Sequence, residues 1–272
     1  MIKKEDFTQD TLRRLQLTQL EILDEIVRIC NEHHLRYYLA EGTLLGAARH
    51  QGFIPWDDDL DIAMPRADYD AFLELCKTEL DPKFYVHSRE TDKTYWLIFG
   101  KIRKSGTVID EYNIRNLSVP KGIYVDVFPL DSTNHERGWI KWLKTKIITK
   151  IYALICYKRG LDLPKTTSIK LMLLLTCFMS IPFLSAVADR LARSENRKER
   201  LYYVNYDAGH PKYTILKSKY DSATKLMFEG KEYMVPRDYD YVLRRIYGDY
   251  MQLPPVEKRV QQHKPEYIDF GD

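Results

Sequence analysis

The sequence predicts an α+β fold, a small mixed sheet flanked by helices, and three observations carry that reading. Short β-prone runs interleave with amphipathic helical stretches, but without the regular long alternation of a doubly wound sheet. Prolines and glycines punctuate the runs at their ends. At 272 residues the chain is long enough to bury a sizeable core, and it holds no internal repeat or low-complexity tract.

The elements follow in order. From Asp10 to Asn31, Leu12, Leu15, Leu20, Leu23, Ile26, Val27 and Cys30 recur at helical spacing, which predicts a long amphipathic helix packed on the core. Tyr37 to Ala40 reads as a short strand, Thr43 to His50 as a short helix and Leu60 to Met64 as a strand stopped by Pro65. Ala67 to Leu80 reads as a helix ending near Asp81-Pro82. Strands are expected at Phe84 to Ser88, Trp96 to Arg103 and Ile123 to Phe128, the last closed by Pro129.

The character changes near Trp139. The segment Trp139 to Tyr152 combines an apolar helical face with lysines and two tryptophans, as helices lying on a membrane surface do. After a polar break at Asp162 to Thr167, the run Leu171 to Ala188 is uncharged between Lys170 and Asp189. It is barely long enough to span a bilayer, and Pro182 and its serines weaken that case. Peripheral attachment ranks first, a buried helical hairpin next and a span last. Lys225 to Phe228 and Lys231 to Val235 around Glu229-Gly230 read as a hairpin, and Pro236 to Tyr247 as a helix ended by Gly248. Three parts are expected: a catalytic core over 1–134, a basic and apolar helical segment over 135–200, and a C-terminal part over 201–272 that packs back on the core.

Charge excludes little by itself. With 42 basic and 39 acidic side chains the net charge is +3, which makes no global case for nucleic-acid binding. Cys30, Cys76, Cys156 and Cys177 have no paired spacing and sit among apolar neighbours, so they read as small core residues of a reducing compartment. The N-terminal residues lack the apolar run of a signal peptide, which predicts a cytoplasmic location.

The chemistry concentrates in Gly52-Phe53-Ile54-Pro55-Trp56-Asp57-Asp58-Asp59-Leu60-Asp61-Ile62-Ala63-Met64. Four carboxylates fall within five residues at the start of an apolar strand, directly after a glycine-opened helix. Because a strand alternates faces, Asp59 and Asp61 project to the same side and aim two oxygens at one hard cation. Mg2+ is commonly held by one or two carboxylates plus substrate phosphate oxygens, so the pattern points to phosphoryl or nucleotidyl chemistry. The competing reading, a solvated acidic turn, fits poorly with the flanking Phe53, Ile54, Trp56, Ile62 and Met64, where unpaired charge is expensive. A third acid, Asp126, stands inside the apolar strand Ile123 to Phe128. A shared metal removes its desolvation penalty, and a buried arginine or tyrosine partner is the alternative.

These residues carry a resemblance. Gly42-Thr43-Leu44-Leu45-Gly46-Ala47-Ala48-Arg49-His50, with Gly52 to Ile62, resembles the signature of the LicD family, which includes fukutin and fukutin-related protein. Val125-Asp126-Val127-Phe128-Pro129-Leu130-Asp131 and Tyr247-Gly248-Asp249-Tyr250-Met251-Gln252-Leu253-Pro254-Pro255 resemble its other recurrent motifs. The resemblance implies a nucleotidyltransferase-like fold with Mg2+, or Mn2+ in its place, held by Asp59, Asp61 and Asp126, which form the catalytic set. It also implies transfer of a phospho-alcohol, phosphocholine first, from CDP-choline or a related CDP-alcohol to a sugar of teichoic acid or lipopolysaccharide. The acceptor would be a lipid-linked glycan met at the inner face of the cytoplasmic membrane.

Within that scheme, Gly42 and Thr43 would offer backbone N–H groups to phosphate at a helix N-terminus. This pair stands where the broader nucleotidyltransferase pattern has Gly-Gly or Gly-Ser. Arg49 would clamp phosphate or else pair with a nearby aspartate. Lys101 and Arg103, alternating on one strand, would hold the nucleotide phosphates or else form an exposed basic edge. Choline would need an aromatic cage, which twenty tyrosines and four tryptophans make available without locating it. Ribitol or glycerol phosphate transfer and a catalytically silent membrane scaffold are the alternatives.

Overall fold

The computed structural model describes residues 2–161, 167–197, 199–207, 211–261, 263 and 265–271. The chain begins with β1 (Ile2–Lys3), α1 (Gln9–Glu32), β2 (Tyr38–Leu39), α2 (Glu41–His50), β3 (Asp61–Pro65) and α3 (Arg66–Glu79). It continues through β4 (Phe84–His87), β5 (Gly100–Lys104), β6 (Val108–Glu111) and β7 (Tyr124–Thr133) to the helices α4 (Trp139–Arg159), α5 (Thr167–Leu175) and α6 (Ile181–Ala192). It closes with β8 (Tyr202–Val204), β9 (Thr214–Leu216), β10 (Thr224–Phe228), β11 (Lys231–Val235), α7 (Tyr239–Tyr247) and β12 (Pro265–Asp269).

The central sheet has the order β2-β3-β7-β5-β4, with β8 and β9 added along the far half of β7. Strands β3 and β7 are parallel and the other pairs antiparallel, so the sheet is mixed and the α+β class holds. Helix α1 opens at a reciprocal cap between Thr8 and Thr11 and buries Leu12, Leu15, Ile22, Leu23, Ile26 and Cys30 against the sheet and α3. From α3, Phe72, Leu73 and Cys76 join the same core.

Several elements depart from expectation for physical reasons. Pro129 does not close its strand: β7 runs through it to Thr133. The Asp126 N–H points to β3, where it donates to the Leu60 carbonyl, so position 129 faces the opposite side of β7. On that side β5 pairs only up to Val127 and β8 only from Asp131, so the missing N–H costs no ladder bond. The strand expected from Trp96 starts only at Gly100, because Tyr95 and Trp96 leave the sheet to pack with Leu154, Ile155 and Leu184 of the helical segment. The helix expected from Pro236 begins at Tyr239, where the Asp238 side chain caps the Tyr241 N–H.

The uncharged run Leu171 to Ala188 is not one helix. It breaks after Leu175, and α6 restarts behind a Ser180 cap with Pro182 in its first turn. No helix among the described residues is long and apolar enough to cross a membrane. The polar break expected at Asp162 to Thr167 lies, through residue 166, outside the described residues. Helices α5 and α6 pack on α4 and leave Trp139, Trp142, Leu174, Phe178 and Phe183 exposed. Cys30, Cys76 and Cys156 are buried free thiols, whereas Cys177 is exposed and so is not the core residue it was expected to be. The β10–β11 hairpin turns through Glu229 and Gly230, both at positive φ, as the two-residue turn requires.

Candidate active site

Strand register assembles the centre. Asp61, the first residue of β3, is the register partner of Asp126 in β7, and Lys101 of β5 is the register partner of Asp126 on its other side. Register partners share a sheet face, so Asp61, Asp126 and Lys101 form a row across three adjacent strands. Lys101 Nζ lies 2.6 Å from Asp126 Oδ1 and 3.4 Å from the centroid of the Tyr124 ring. The partner of Asp126 is thus a lysine, where the sequence reading weighed a metal against an arginine or a tyrosine.

The loop before β3 is pinned from several sides. Thr43 Oγ1 accepts the Asp61 N–H at 2.8 Å, and the Asp61 carbonyl accepts the Ala40 N–H at 3.0 Å. Two buried glutamines on the packed face of α1, Gln16 and Gln19, donate to the Asp57 and Asp58 carbonyls at 3.0 Å each. Asp58 turns both carboxylate oxygens to His263, accepting its backbone N–H at 3.1 Å and meeting its Nδ1 at 3.2 Å. Burial alone would lower the His263 imidazole, but the bond to Asp58 and the charge of Asp59 carry it up to about 9.

The carboxylates are mutually uncomfortable. Burial, then the Asp59 and Asp126 charges, pushes Asp61 well above the usual carboxylate range. Burial also raises Asp59, against the pull of His263, and Asp126, against the pull of Lys101. Asp57 is pushed up to about 8 by burial and by Asp59, and Glu41 to about 7 by burial, which outweighs its bond from Tyr213. Burial thus penalises the charged form of several neighbouring acids despite Lys101, His263 and Lys212, a strain that a divalent cation would relieve. Among the described residues, the acids and histidines here whose donor atoms all lie within 4.8 Å of one another are Asp58, Asp59 and His263; the expected ligands Asp59, Asp61 and Asp126 do not meet that spacing as a set. Asp58 and His263 were missed by sequence reasoning.

A cavity of about 540 Å3 opens beside these acids. Its wall carries Glu41, Asp57, Asp59 and Asp61, the rings of Trp56, Tyr213, Tyr247 and Tyr250, and also Gly42 and Arg49. Gly42 lies in the first turn of α2, where N–H groups have no intrahelical acceptor, and a Cβ there would stand 2.7 Å from Asp57 Oδ2. Glu41 just before it takes a positive φ of 44°, backbone strain at the cavity wall. Arg49 donates to the Tyr250 carbonyl at 2.6 Å and to His50 Nε2 at 3.0 Å, ties that hold the wall together; neither is an ion pair to an aspartate.

The structure does not bring Arg103 to this wall. It is 1% exposed, and its guanidinium donates to His87 Nδ1 at 3.1 Å and to the Gly122 carbonyl at 2.6 Å. It forms neither a phosphate clamp nor an exposed edge, because its strand is covered on both sides. Lys101 and Asp126 are likewise buried, paired with one another beside Tyr124, and both lie behind the residues of the cavity wall.

Comparison with known proteins fits this arrangement. The family model described as LicD/FKTN/FKRP, nucleotidyltransferase domain, matches residues 34–153. Over 265 residues the chain is 31% identical to the lipopolysaccharide cholinephosphotransferase LicD of Haemophilus influenzae, spanning 94% of this chain and 97% of that protein. This chain belongs to the LicD family. An uncharacterized protein of Rickettsia prowazekii is 26% identical over 175 residues, 57% of this chain and 63% of its own length. In this LicD-family chain, the matched stretch contains α2, β3, β5 and β7, and so every residue of the Asp61–Asp126–Lys101 row.

Proposed function

We propose that this LicD-family transferase moves phosphocholine from a CDP-linked donor to a sugar hydroxyl of a cell-envelope glycan. The observation that carries the reading is the parallel register of Asp61 with Asp126, which joins two motifs 65 positions apart into one acidic centre. The near-full-length likeness to a protein named as a lipopolysaccharide cholinephosphotransferase supports the choice of group.

In the transfer, the acceptor hydroxyl oxygen bonds to the phosphorus that carries choline, and the bond from that phosphorus to the CMP phosphate oxygen breaks. CMP leaves with the bond's electron pair. Asp126 takes the acceptor proton, with Lys101 holding its carboxylate in place. Asp59, Asp61 and Asp126 are the oxygens that would hold Mg2+, whose charge, when bound, offsets that of the donor pyrophosphate. Gly42 lines the same cavity in the first turn of α2, where an N–H suits a phosphate oxygen, while the buried Thr43 is turned to the Asp61 N–H.

The cavity wall sets Trp56, Tyr213, Tyr247 and Tyr250 with Glu41 and Asp57 beside the cations Arg49 and Lys258, so its aromatic and acidic groups suit a quaternary ammonium and its cations suit a phosphate. The exposed tryptophans, leucines and phenylalanines of α4 to α6, with lysines beside them, suit peripheral attachment to an anionic membrane where a lipid-linked acceptor resides.

The test is CMP release from CDP-choline, CDP-ribitol and CDP-glycerol with Mg2+ and a glycan-lipid extract, beside Asp61→Ala. Acceptor-dependent release from CDP-choline, absent in the variant, is the expected result. Preference for either polyol donor overturns the choline reading, and no turnover with any donor overturns the transferase reading.

A further inference from the structure

A second cavity lies away from the acids. It measures about 720 Å3 and lies at the opposite ends of β3 and β7, beside Pro65 and Ser132. From Asp61 and Asp126 that is four to six residues along the strands, about 13–20 Å at the usual rise. Where the first cavity is acidic, this one is basic: Arg36, Arg66, Arg190, Arg193, Arg197 and Lys217 line it against only Asp70 and Asp189.

Some of these cations are committed to the fold. Arg66 makes a bidentate pair with Asp131 at 2.9 and 2.8 Å, Arg36 meets Asp68 at 2.8 Å, and Arg193 joins Asp189 and Asp70. Arg190 and Arg197 have no hydrogen-bond or ion-pair partner among the described residues. Lys217 lies over the Tyr203 ring, 4.9 Å from its centroid, and burial lowers its ammonium against the pull of the Asp221 and Glu199 charges. The fixed arginines thus form the floor, and Arg190, Arg197 and Lys217 are the groups left for an anion. Guanidinium forks match phosphate oxygens bidentately, and three cations around one cavity suit an anion that carries more than one charge.

The surroundings add to this. Arg190 stands seven residues after Phe183 on α6, two helical turns along the same face. The apolar surface of the helical segment therefore runs directly into the rim of the basic cavity.

We propose that this second cavity binds a phosphate ester, through Arg190, Arg197 and Lys217, at a site separate from the carboxylate centre. The site needs no donor, acceptor sugar or divalent metal, so it stands apart from the transferase reading.

The full chain in EDTA, where the carboxylate cavity repels anions, is titrated calorimetrically with inorganic phosphate and glycerol 3-phosphate. It is also floated with phosphatidylcholine vesicles with or without phosphatidylglycerol. Saturable binding that Arg190→Glu/Arg197→Glu weakens tenfold or more, and Lys217→Gln several-fold, is expected. Binding of the soluble esters would identify a free phosphate ester as the ligand. Binding confined to phosphatidylglycerol vesicles, with the same loss in the variants, would identify a lipid headgroup. If the wild-type chain binds no probe, or the variants bind as it does, the proposal is overturned. The substituted arginines make no structural bond, so an unchanged melting temperature checks that the double variant is folded, and Lys217→Gln tests the site independently.

Discussion

Lys101 Nζ sits 2.6 Å from Asp126 Oδ1 with the Tyr124 ring packed against it, and both members of the pair are buried. A buried carboxylate stripped of its counter-ion keeps its proton instead of accepting one. Lys101→Met should therefore destabilise the fold by about 3–5 kcal/mol, the usual cost of orphaning one partner of a buried pair. It should also lower transfer by roughly 100-fold or more, the range of a lost general base. Urea unfolding and CMP release measure the two effects, and full activity in the variant would remove Asp126 as the proton acceptor.

Thr43 tests whether the acidic strand is positioned from α2. Its hydroxyl accepts the buried Asp61 N–H, so Thr43→Val keeps the shape and leaves a donor without a partner. An orphaned buried N–H costs about 1–3 kcal/mol. Thr43→Ser should restore most of that stability and activity. Loss in the Ser variant with the Val variant unaffected would show that the methyl packing matters and the hydrogen bond does not.

What the sequence revealed about this centre follows from energetics. Acids inside apolar strands are conspicuous because they are costly, so Asp59, Asp61 and Asp126 stood out, and the parallel register then joined the last two. His263 did not stand out: it meets Asp58 across 205 positions, from a segment with no strong pattern before β12. Gln16 and Gln19 did leave a signal, since polar residues on the apolar face of α1 need partners there, but nothing in their spacing named the Asp57 and Asp58 carbonyls. Strands of two or three residues such as β2 and β8 exist only because neighbours pair with them. Pro129 misled because a strand's tolerance for proline depends on which side lacks a partner, a fact of topology that no local rule contains.

His87 should make stability depend on pH. Burial, then the Arg103 charge, lowers its imidazole from the ordinary 6.5 to about 4, and its Nδ1 accepts the Arg103 Nε–H at 3.1 Å. The folded state thus keeps His87 neutral while the unfolded chain takes up a proton below about 6.5. The unfolded state binds more protons between those values, so His87's contribution is complete above 6.5 and is lost as pH falls towards 4. The loss amounts to about 3 kcal/mol. His87→Asn retains an acceptor for Arg103 but does not titrate. The difference between wild-type and variant unfolding free energies should therefore shrink from pH 7 to pH 4, and a constant difference would refute the assignment.

The apolar face of the helical segment can be tested without touching the catalytic centre. Trp139 and Trp142 of α4 are 73% and 60% exposed, so replacing them removes little packing. If the face lies on a membrane, each ring contributes about 1–2 kcal/mol by leaving water. Trp139→Ser/Trp142→Ser should then weaken flotation with anionic vesicles by roughly tenfold or more while leaving the melting temperature unchanged. Added salt should weaken the wild-type interaction too, through the neighbouring lysines. With a water-soluble acceptor fragment, transfer by the double variant should match wild type. Loss of activity on that fragment would mean that the tryptophans support the active site and not a membrane surface.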